Sequence, residues 1–153
     1  MYKIRGVTLV ELLTVISIIG VLTVVGIPAF KTMTSNRQAD RLSQELQLDL
    51  AYARNAALTS AKTVKMKPKS SWSKGWEIKE GSTMLREKGA NKDIANAGEI
   101  SSSITEIQFD NQGRATLTGG SKISIAVAGC SGNRKRDIHI NSIGQLIVVN
   151  QSC

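Results

Sequence analysis

Apolar residues dominate the first part of the chain. Glu11 is the only charged residue between Val7 and Phe30, and none follows it from Leu12 to Phe30. A helix over Leu12–Phe30 spans about 28 Å at roughly 1.5 Å per residue, which is enough to cross the hydrocarbon core of a bilayer. The pattern predicts a membrane-spanning helix. A carboxylate inside it costs about 2.5–3.5 kcal/mol on insertion scales, so we expect Glu11 to have a function.

The apolar pattern continues beyond this segment with the period of an α-helix. Its positions recur every three or four residues and share one face, which is typical of a helix packed on a domain. We predict one helix from about Thr8 to about Ser60, with the first half in a membrane. Pro28 lacks a helix donor, so the stretch between Gly20 and Pro28 is where the helix would kink or melt during packing. The stripe consists of Ala39, Leu42, Leu46, Leu50, Ala53 and Ala57.

After Ser60 the period changes to two, which predicts β-strands. Residues 110–113 form a turn signal, so 104–109 and 114–117 are predicted to pair as a hairpin. The polar segment 89–103 is predicted to be a loop. The resulting architecture is a helix packed on antiparallel sheet, class α+β. The other predicted strands are Thr63–Lys67, Trp76–Lys79, Thr83–Arg86, Lys122–Val127, Asp137–Ile140 and Ile143–Val149.

The length and net charge of the chain predict one basic domain after the predicted membrane-spanning segment. The chain has 153 residues and a formal net charge of +8. Lys3 and Arg5 precede the apolar run, which predicts a cytoplasmic N-terminus and the remainder outside. A basic external domain attracts DNA, anionic lipid or acidic partners, or it serves solubility alone. Composition by itself favours the last alternative, in which the charge only keeps the domain soluble and binds no partner.

Cys130 and Cys153 are the only cysteines. In an oxidising compartment they most simply form one disulfide, worth about 3 kcal/mol in the entropic account, that staples the last strand to the domain. We expect no metal site and no cofactor, since His139 is the single histidine. His139 lies on an alternating strand and is interpreted as exposed, and no phosphate loop or nucleophile elbow occurs. We therefore predict neither an enzyme nor a small-molecule substrate.

The N-terminal segment resembles the class III signal of type IV pilins and pseudopilins. The likeness is carried by Lys3, Arg5, Gly6, Val7 and Glu11, although the family usually has Phe in place of Val7. A prepilin peptidase cuts such signals after the glycine, which implies cleavage between Gly6 and Val7 and N-methylation of Val7. Glu11 would pair with the terminal amine of a neighbouring subunit, which offsets the cost of both charges in lipid. The alternative is a plain membrane anchor, which needs neither the carboxylate nor the glycine.

The remainder resembles the GspH/FimT-like minor pilins and pseudopilins, a group that includes FimU-type minor pilins. The likeness rests on the order of elements and on residues 107–110, 113–115 and 142–144. It implies a type IV pilin-like fold, with a long N-terminal helix packed on an antiparallel sheet. The implied organisation is a leader at 1–6, a transmembrane and filament-core helix at 7–30, its amphipathic continuation at 31–60, and a β-rich periplasmic or extracellular domain at 61–153.

The resemblance also implies a function. A minor pilin of this group sits at or near the filament tip and helps to start assembly, with other pilins, the prepilin peptidase and the inner membrane as partners. It would cross the bacterial inner membrane once, with its C-terminal domain in the periplasm, and then reach the pilus at the cell surface. The alternatives are a minor pseudopilin of type II secretion and a DNA-binding minor pilin for natural transformation. Some FimT proteins bind DNA through a Gly-Arg-x-Arg motif, and residues 144–147 lack both arginines.

Two basic clusters are candidates for contact with DNA. On the first strand after the helix two lysines share one face, and the nearby Trp72 and Trp76 could stack on bases. The alternative is that these lysines lie on a solvated strand edge and only protect it from aggregation. The second cluster is a run in a turn after Cys130, where arginine suits phosphate geometry. For both clusters the purely structural role is favoured. The candidate DNA-binding residues are Arg134, Lys135, Arg136, Lys65 and Lys67.

Overall fold

A single long helix dominates the molecule. The computed structural model describes residues 8–89 and 99–153. Its helix α1 contains 52 residues, Leu9–Ser60, which confirms the prediction of one continuous helix over about residues 8–60. Pro28 lies inside this continuous helix. The expected kink or melting between Gly20 and Pro28 concerns packing against other subunits and stays a prediction.

Both ends of α1 have recognisable caps. The side chain of Thr8 accepts a hydrogen bond from the amide of Glu11 at 3.3 Å, which satisfies one of the free donors of the first turn. At the other end Ala61 adopts a left-handed conformation with φ of 55° and ends the helix. Within the described residues, α1 is the one helix long and apolar enough to cross a membrane.

The strands after α1 form two antiparallel sheets. The first has the strand order β3-β2-β1-β5-β6, and the second has the order β4-β7-β8-β9. The predicted hairpin is confirmed, since β5 and β6 pair with each other. The strands are β1 Val64–Pro68, β2 Trp76–Glu80, β3 Thr83–Lys88, β4 Glu99–Ser101, β5 Glu106–Phe109, β6 Ala115–Thr118, β7 Lys122–Ala126, β8 Lys135–Ile140 and β9 Leu146–Gln151.

Several predicted boundaries were wrong, and two of these differences matter for the fold. The segment 89–103 is not a loop throughout, because Glu99–Ser101 is strand β4 and pairs with β7; residues 90–98 lie outside the described part of the chain. The last strand begins at Leu146 rather than Ile143. The reason is a tight turn in which Gly144 has a φ of 75°, a conformation that glycine adopts without strain.

The core lies where the stripe of α1 meets the inner faces of both sheets. α1 contacts β1 and β5 of the first sheet and β7 and β8 of the second. On β1 the predicted alternation is confirmed, because Val64 and Met66 are buried and Lys65 and Lys67 are exposed. The buried apolar residues of α1 are those of the predicted stripe: Ala39, Leu42, Leu46, Leu50, Ala53 and Ala57.

Candidate functional site

The N-terminal half of α1 presents apolar side chains that the domain does not cover. From Leu9 to Met33 the large apolar side chains whose burial is described are exposed. Hydroxyls in this half bond to their own helix: Ser17 donates to the carbonyl of Leu13 at 2.9 Å, and Thr23 to that of Ile19 at 3.0 Å. Such a surface suits lipid, where every polar group needs an internal partner. It equally suits contact with other apolar helices.

Glu11 is the acidic residue of the first turn of α1, and it is exposed. A carboxylate at a helix N-terminus is favoured by the helix dipole, so it does not disturb the helix that carries it. The predicted cleavage site at Gly6 and Val7 lies outside the described residues, so the pairing of Glu11 with a neighbouring terminal amine stays a prediction.

The C-terminal half of α1 is fastened to the domain by a buried carboxylate. Asp49 accepts hydrogen bonds from Nε1 of Trp76 at 2.7 Å and from Nη1 of Arg86 at 2.6 Å. The guanidinium of Arg86 lies 4.3 Å from the ring centroid of Tyr52. Sequence reasoning missed this site, although an acid directly before Leu50 of the buried stripe was a signal that a partner from the sheet would be needed.

The tryptophans are not available to stack on DNA bases, which corrects that prediction. Trp72 and Trp76 are both buried, and Nε1 of Trp72 donates to the carbonyl of Ile104 at 2.7 Å. The two rings lie 6.4 Å apart between centroids. Their indole N–H groups are satisfied inside the protein, which explains how such large amphipathic side chains can be buried together.

Arg54 ties the far end of α1 to two turns. Its Nε donates to the carbonyl of Gly113 and its Nη2 to that of Ile143, each at 2.9 Å. Gly144 packs against the first turn so closely that a Cβ there would lie 2.1 Å from the Gly113 oxygen. The hairpin turn between β5 and β6 and the turn before β9 are therefore held together at this end.

The predicted arginine cluster joins the domain to α1 close to the exposed apolar half of the helix. Asp40 accepts from Nη1 of Arg134 at 3.2 Å and from Nη2 of Arg136 at 2.5 Å. The structure also corrects the predicted turn, because Lys135 and Arg136 lie in β8. The side chain of Arg136 is only 11% exposed. Two of the three candidate DNA-binding residues in this cluster thus already have a carboxylate partner.

A disulfide and two hydrogen bonds hold the segment before this cluster. Cys130 and Cys153 are joined in a disulfide with their Cα atoms 6.0 Å apart. The amide of Cys153 also donates to the carbonyl of Gly132 at 3.0 Å. The amide of Ser131 donates to Oδ1 of Asn36 on α1 at 3.3 Å. The bridged loop is therefore the part of the domain that meets α1 near its exposed apolar half.

The lysine stripe on β1 is largely neutralised by neighbouring acids. Lys65 and Lys67 both reach Glu106 on β5, at 3.1 and 2.7 Å. The hydrogen bond from Lys67 holds the pKa of Glu106 below its usual value. Lys69 pairs with Glu87 in the same way. Pairing of this kind lowers the positive potential that a nucleic acid would meet at Lys65 and Lys67.

No catalytic set emerges from the residues the structure describes. His139 lies on β8 opposite Lys122 of β7. Asp137 is buried on the same strand, with Ser124 and Lys122 donating to it at 2.7 Å each. Across residues 8–89 and 99–153 there is no group of three or more His, Cys, Asp and Glu side chains placed to hold a metal ion.

Comparisons with known proteins agree with this architecture. The family described as "Type II transport protein GspH" matches residues 42–144. The "Prokaryotic N-terminal methylation motif" matches residues 1–27. The Type IV major alpha-pilin of Moraxella bovis is 41% identical over 70 residues, which are 46% of this chain and 43% of that protein, so the match spans less than half of the relative.

Two solved structures share the fold. They are crystal forms of the type IV minor pilin FimU of Pseudomonas aeruginosa, each 20% identical to this chain. The TM-scores are 0.52 and 0.55, with 74% and 79% of this chain and 98% of FimU covered in each. At this identity the likeness shows the pilin-type arrangement of a long helix on antiparallel sheet.

Proposed function

This chain belongs to the GspH family of type IV minor pilins and pseudopilins, and from that premise we propose that it is a minor pilin of a type IV pilus. Proteins of this family are structural subunits rather than enzymes, and they assemble with other pilins. In our proposal the subunit is incorporated at or near the filament tip and helps to start assembly. It acts by docking, with no substrate and no cofactor.

The contrast within α1 carries this proposal. The same helix has a C-terminal half buried against two sheets and an N-terminal half whose apolar side chains are exposed. An exposed apolar helix is stable in a bilayer, and it is also stable when surrounded by other apolar helices. A subunit that leaves the membrane and enters a filament exchanges one apolar environment for the other.

The N-terminal residues would guide this exchange. Gly6 is the proposed cleavage position of a prepilin peptidase, and Val7 is the proposed N-methylated first residue. Once the leader is removed, Val7 carries the terminal amine, four positions before Glu11 in the sequence. Pairing of Glu11 with the amine of an adjacent subunit offsets the cost of both charges in lipid and sets the register of docking.

Mass spectrometry of the chain isolated from cell membranes and from sheared filaments tests this function. We expect the mature form to begin with N-methylated Val7 and to be present in both fractions, with less in the filaments than the major subunit. The domain is expected on the periplasmic side before assembly and at the cell surface afterwards. A chain that retains Met1 in the filament fraction, or that never enters filaments, would contradict the proposal.

A pseudopilin of a type II secretion system is the second candidate, and the description of the matched family favours it. The same helix and the same processing would serve a short pseudopilus. Deletion of the gene separates the two candidates when piliation, twitching and protein secretion are scored independently. Loss of pili with normal secretion supports the minor pilin, and loss of secretion with normal pili supports the pseudopilin.

A further inference from the structure

The outer edges of the two sheets differ in how they are protected. β3 carries Arg86, Glu87 and Lys88, β6 has four residues, and β4 has three in the described part of the chain. Natural sheets guard their edges by charge or by shortness, because an open edge invites another strand. β9 uses neither device. It has six residues, and no charged side chain occurs from Asn141 to Cys153.

Part of the backbone of β9 has no strand partner among residues 8–89 and 99–153. In the turn before it, the amide of Asn141 donates to the carbonyl of Gln145 at 3.1 Å. The β8–β9 register continues from this pair without a shift through β9. Antiparallel pairs alternate between residues bonded to the neighbour and residues that point away. The N–H and C=O groups of Leu146, Val148 and Asn150 therefore face the open edge.

The side chains of β9 extend a row of the core. Ile123 on β7 lies opposite Ile138 on β8, which lies opposite Val148 on β9. Ile123 and Ile138 are fully buried, whereas Val148 is 37% exposed. On the other face Ile147 is 47% exposed. A strand added beyond β9, with apolar residues at alternate positions, would continue the core row and cover Val148.

β9 is also held rigidly at both ends. Arg54 bonds to the carbonyl of Ile143 just before the strand. The disulfide from Cys153 to Cys130 and the bond from the Cys153 amide to Gly132 hold the chain just after it. A template that is already ordered loses little conformational entropy when a partner strand binds.

The direction of β9 identifies the kind of partner. Its start lies near Arg54, and Asn150 lies opposite Arg136, which reaches Asp40. Arg54 and Asp40 are about 21 Å apart along α1 at roughly 1.5 Å per residue, so β9 runs back along the helix towards the membrane segment. Antiparallel β9–β9 pairing of two copies would point their membrane helices in opposite directions. An antiparallel partner inserted in the same membrane with the same orientation must therefore offer a strand other than β9, and the other edges of this chain are charged or short.

We propose that β9 is a docking edge to which an edge strand of a neighbouring pilin subunit of a different type is added, extending the second sheet across the subunit boundary. The proposal rests on the proposed function, because it needs a filament in which subunits share one orientation. Main-chain hydrogen bonds would supply the affinity, and the apolar residues flanking Val148 would set the register.

Photo-crosslinking in the full-length chain, expressed in its own cells, tests the proposal. A benzophenone amino acid at position 147 should crosslink to another pilin, identified by mass spectrometry of the product. The matched control is position 84, since Met84 on the charged edge β3 is 43% exposed. We expect the yield at position 84 to be at least about tenfold lower. A product that is a dimer of this chain, or no product with a filament subunit, would overturn the proposal.

A backbone variant sharpens the test. Val148→Pro removes an N–H that faces the open edge and leaves the bonds to β8 in place, as proline on an edge strand does. We expect the crosslink from position 147 to fall by about tenfold, the factor that removal of one buried hydrogen bond produces. Val148→Thr keeps the N–H and should keep the crosslink. Equal crosslinking by Val148→Pro and the unchanged chain would contradict the docking edge.

Folding and function are monitored separately. Formation of the Cys130–Cys153 disulfide and the amount in the membrane report whether each variant folds. If Val148→Pro reduces either one, Ile147→Lys replaces it with a probe at Val149, and we expect the same loss of crosslink. If the unchanged chain never enters filaments, the proposed function fails. If it enters them and the probe at β9 finds no pilin, this inference alone fails.

Discussion

The two halves of α1 belong to one continuous helix but differ in how their apolar side chains are buried. In the C-terminal half the apolar stripe is buried, and Asp49 and Arg54 fasten it to the sheets. In the N-terminal half the apolar residues are exposed in the chain alone, and the described hydroxyl contacts are to the helix itself. The domain thus buries the apolar stripe of the C-terminal half. The described apolar side chains of the N-terminal half stay exposed, and in the proposed function lipid or other subunits would cover them.

This difference separates stability from assembly. Substitutions in the buried half should change the free energy of unfolding of the domain, and those in the exposed half should change entry into the filament. The junction of the two halves lies near Asp40, where Arg134 and Arg136 attach the domain to the helix. The predictions below test that separation, beginning with the largest expected effect.

Leu46→Ala should destabilise the domain by about 2–5 kcal/mol, because it removes a fully buried side chain from a packed core. The matched control is Leu48→Ala, two residues away on the same helix, where Leu48 is 67% exposed. It should change the free energy of unfolding by less than about 0.5 kcal/mol. Urea unfolding of the full chain in detergent, followed by fluorescence of the buried Trp72 and Trp76, measures both. Equal effects would contradict the assigned burial.

Glu11→Gln should impair incorporation into filaments by about tenfold or more and leave the domain as stable as before. Without the carboxylate of Glu11, the terminal amine of the adjacent subunit would be an unpaired charge in lipid, which costs about 2.5–3.5 kcal/mol. Immunoblots of membrane and sheared-filament fractions give the ratio. Glu45→Gln is the control, a carboxylate in the other half that pairs with Arg41 and Lys88 at the surface. Normal incorporation of Glu11→Gln would refute the pairing role.

The stability of the domain should fall as the pH is lowered below about 4. Burial alone raises the pKa of Asp137, but the hydrogen bonds from Lys122 and Ser124 outweigh it and keep that pKa below its usual value. A carboxyl whose pKa is lowered by folding stabilises the protein above its unfolded pKa of about 3.9 and loses that contribution as the pH falls through the folded pKa. The free energies of unfolding at pH 7 and at pH 3 should therefore differ less for Asp137→Asn than for the unchanged chain. An identical difference would show that Asp137 contributes nothing.

DNA binding by the junction is expected to be the smallest effect. Changing Arg134, Lys135 and Arg136 to Gln would remove both the ion pairs with Asp40 and any bonds to phosphate. Asp40→Asn separates these roles, because it frees the two arginines. If the segment binds phosphates, Asp40→Asn should bind duplex DNA more tightly, and the Gln variant should have a salt slope smaller by about 0.9 for each phosphate it no longer neutralises. Titrations at two salt concentrations that show no binding would leave a purely structural junction.

Much of this protein was determined by periodicity that can be read in the sequence. The three- and four-residue steps from Ala39 to Ala57 predicted the buried face of α1, and the alternation at Val64 and Met66 predicted the inner face of β1. The uncharged run after Glu11 predicted the exposed apolar half. These features were accessible because the geometry of one helix or strand decides which of its residues share a face.

The tertiary structure decided which residues meet across the chain. Arg136 and Asp40 are separated by 96 positions and Trp76 and Asp49 by 27, so no local pattern joins them. For this reason the sequence did not show that Arg134 and Arg136 pair with a carboxylate on α1. The open position of β9 likewise depends on strand order, because the same residues would be interior if another strand lay beside them. Periodicity specifies the faces of each element, and only packing specifies which edges and charges remain for a partner.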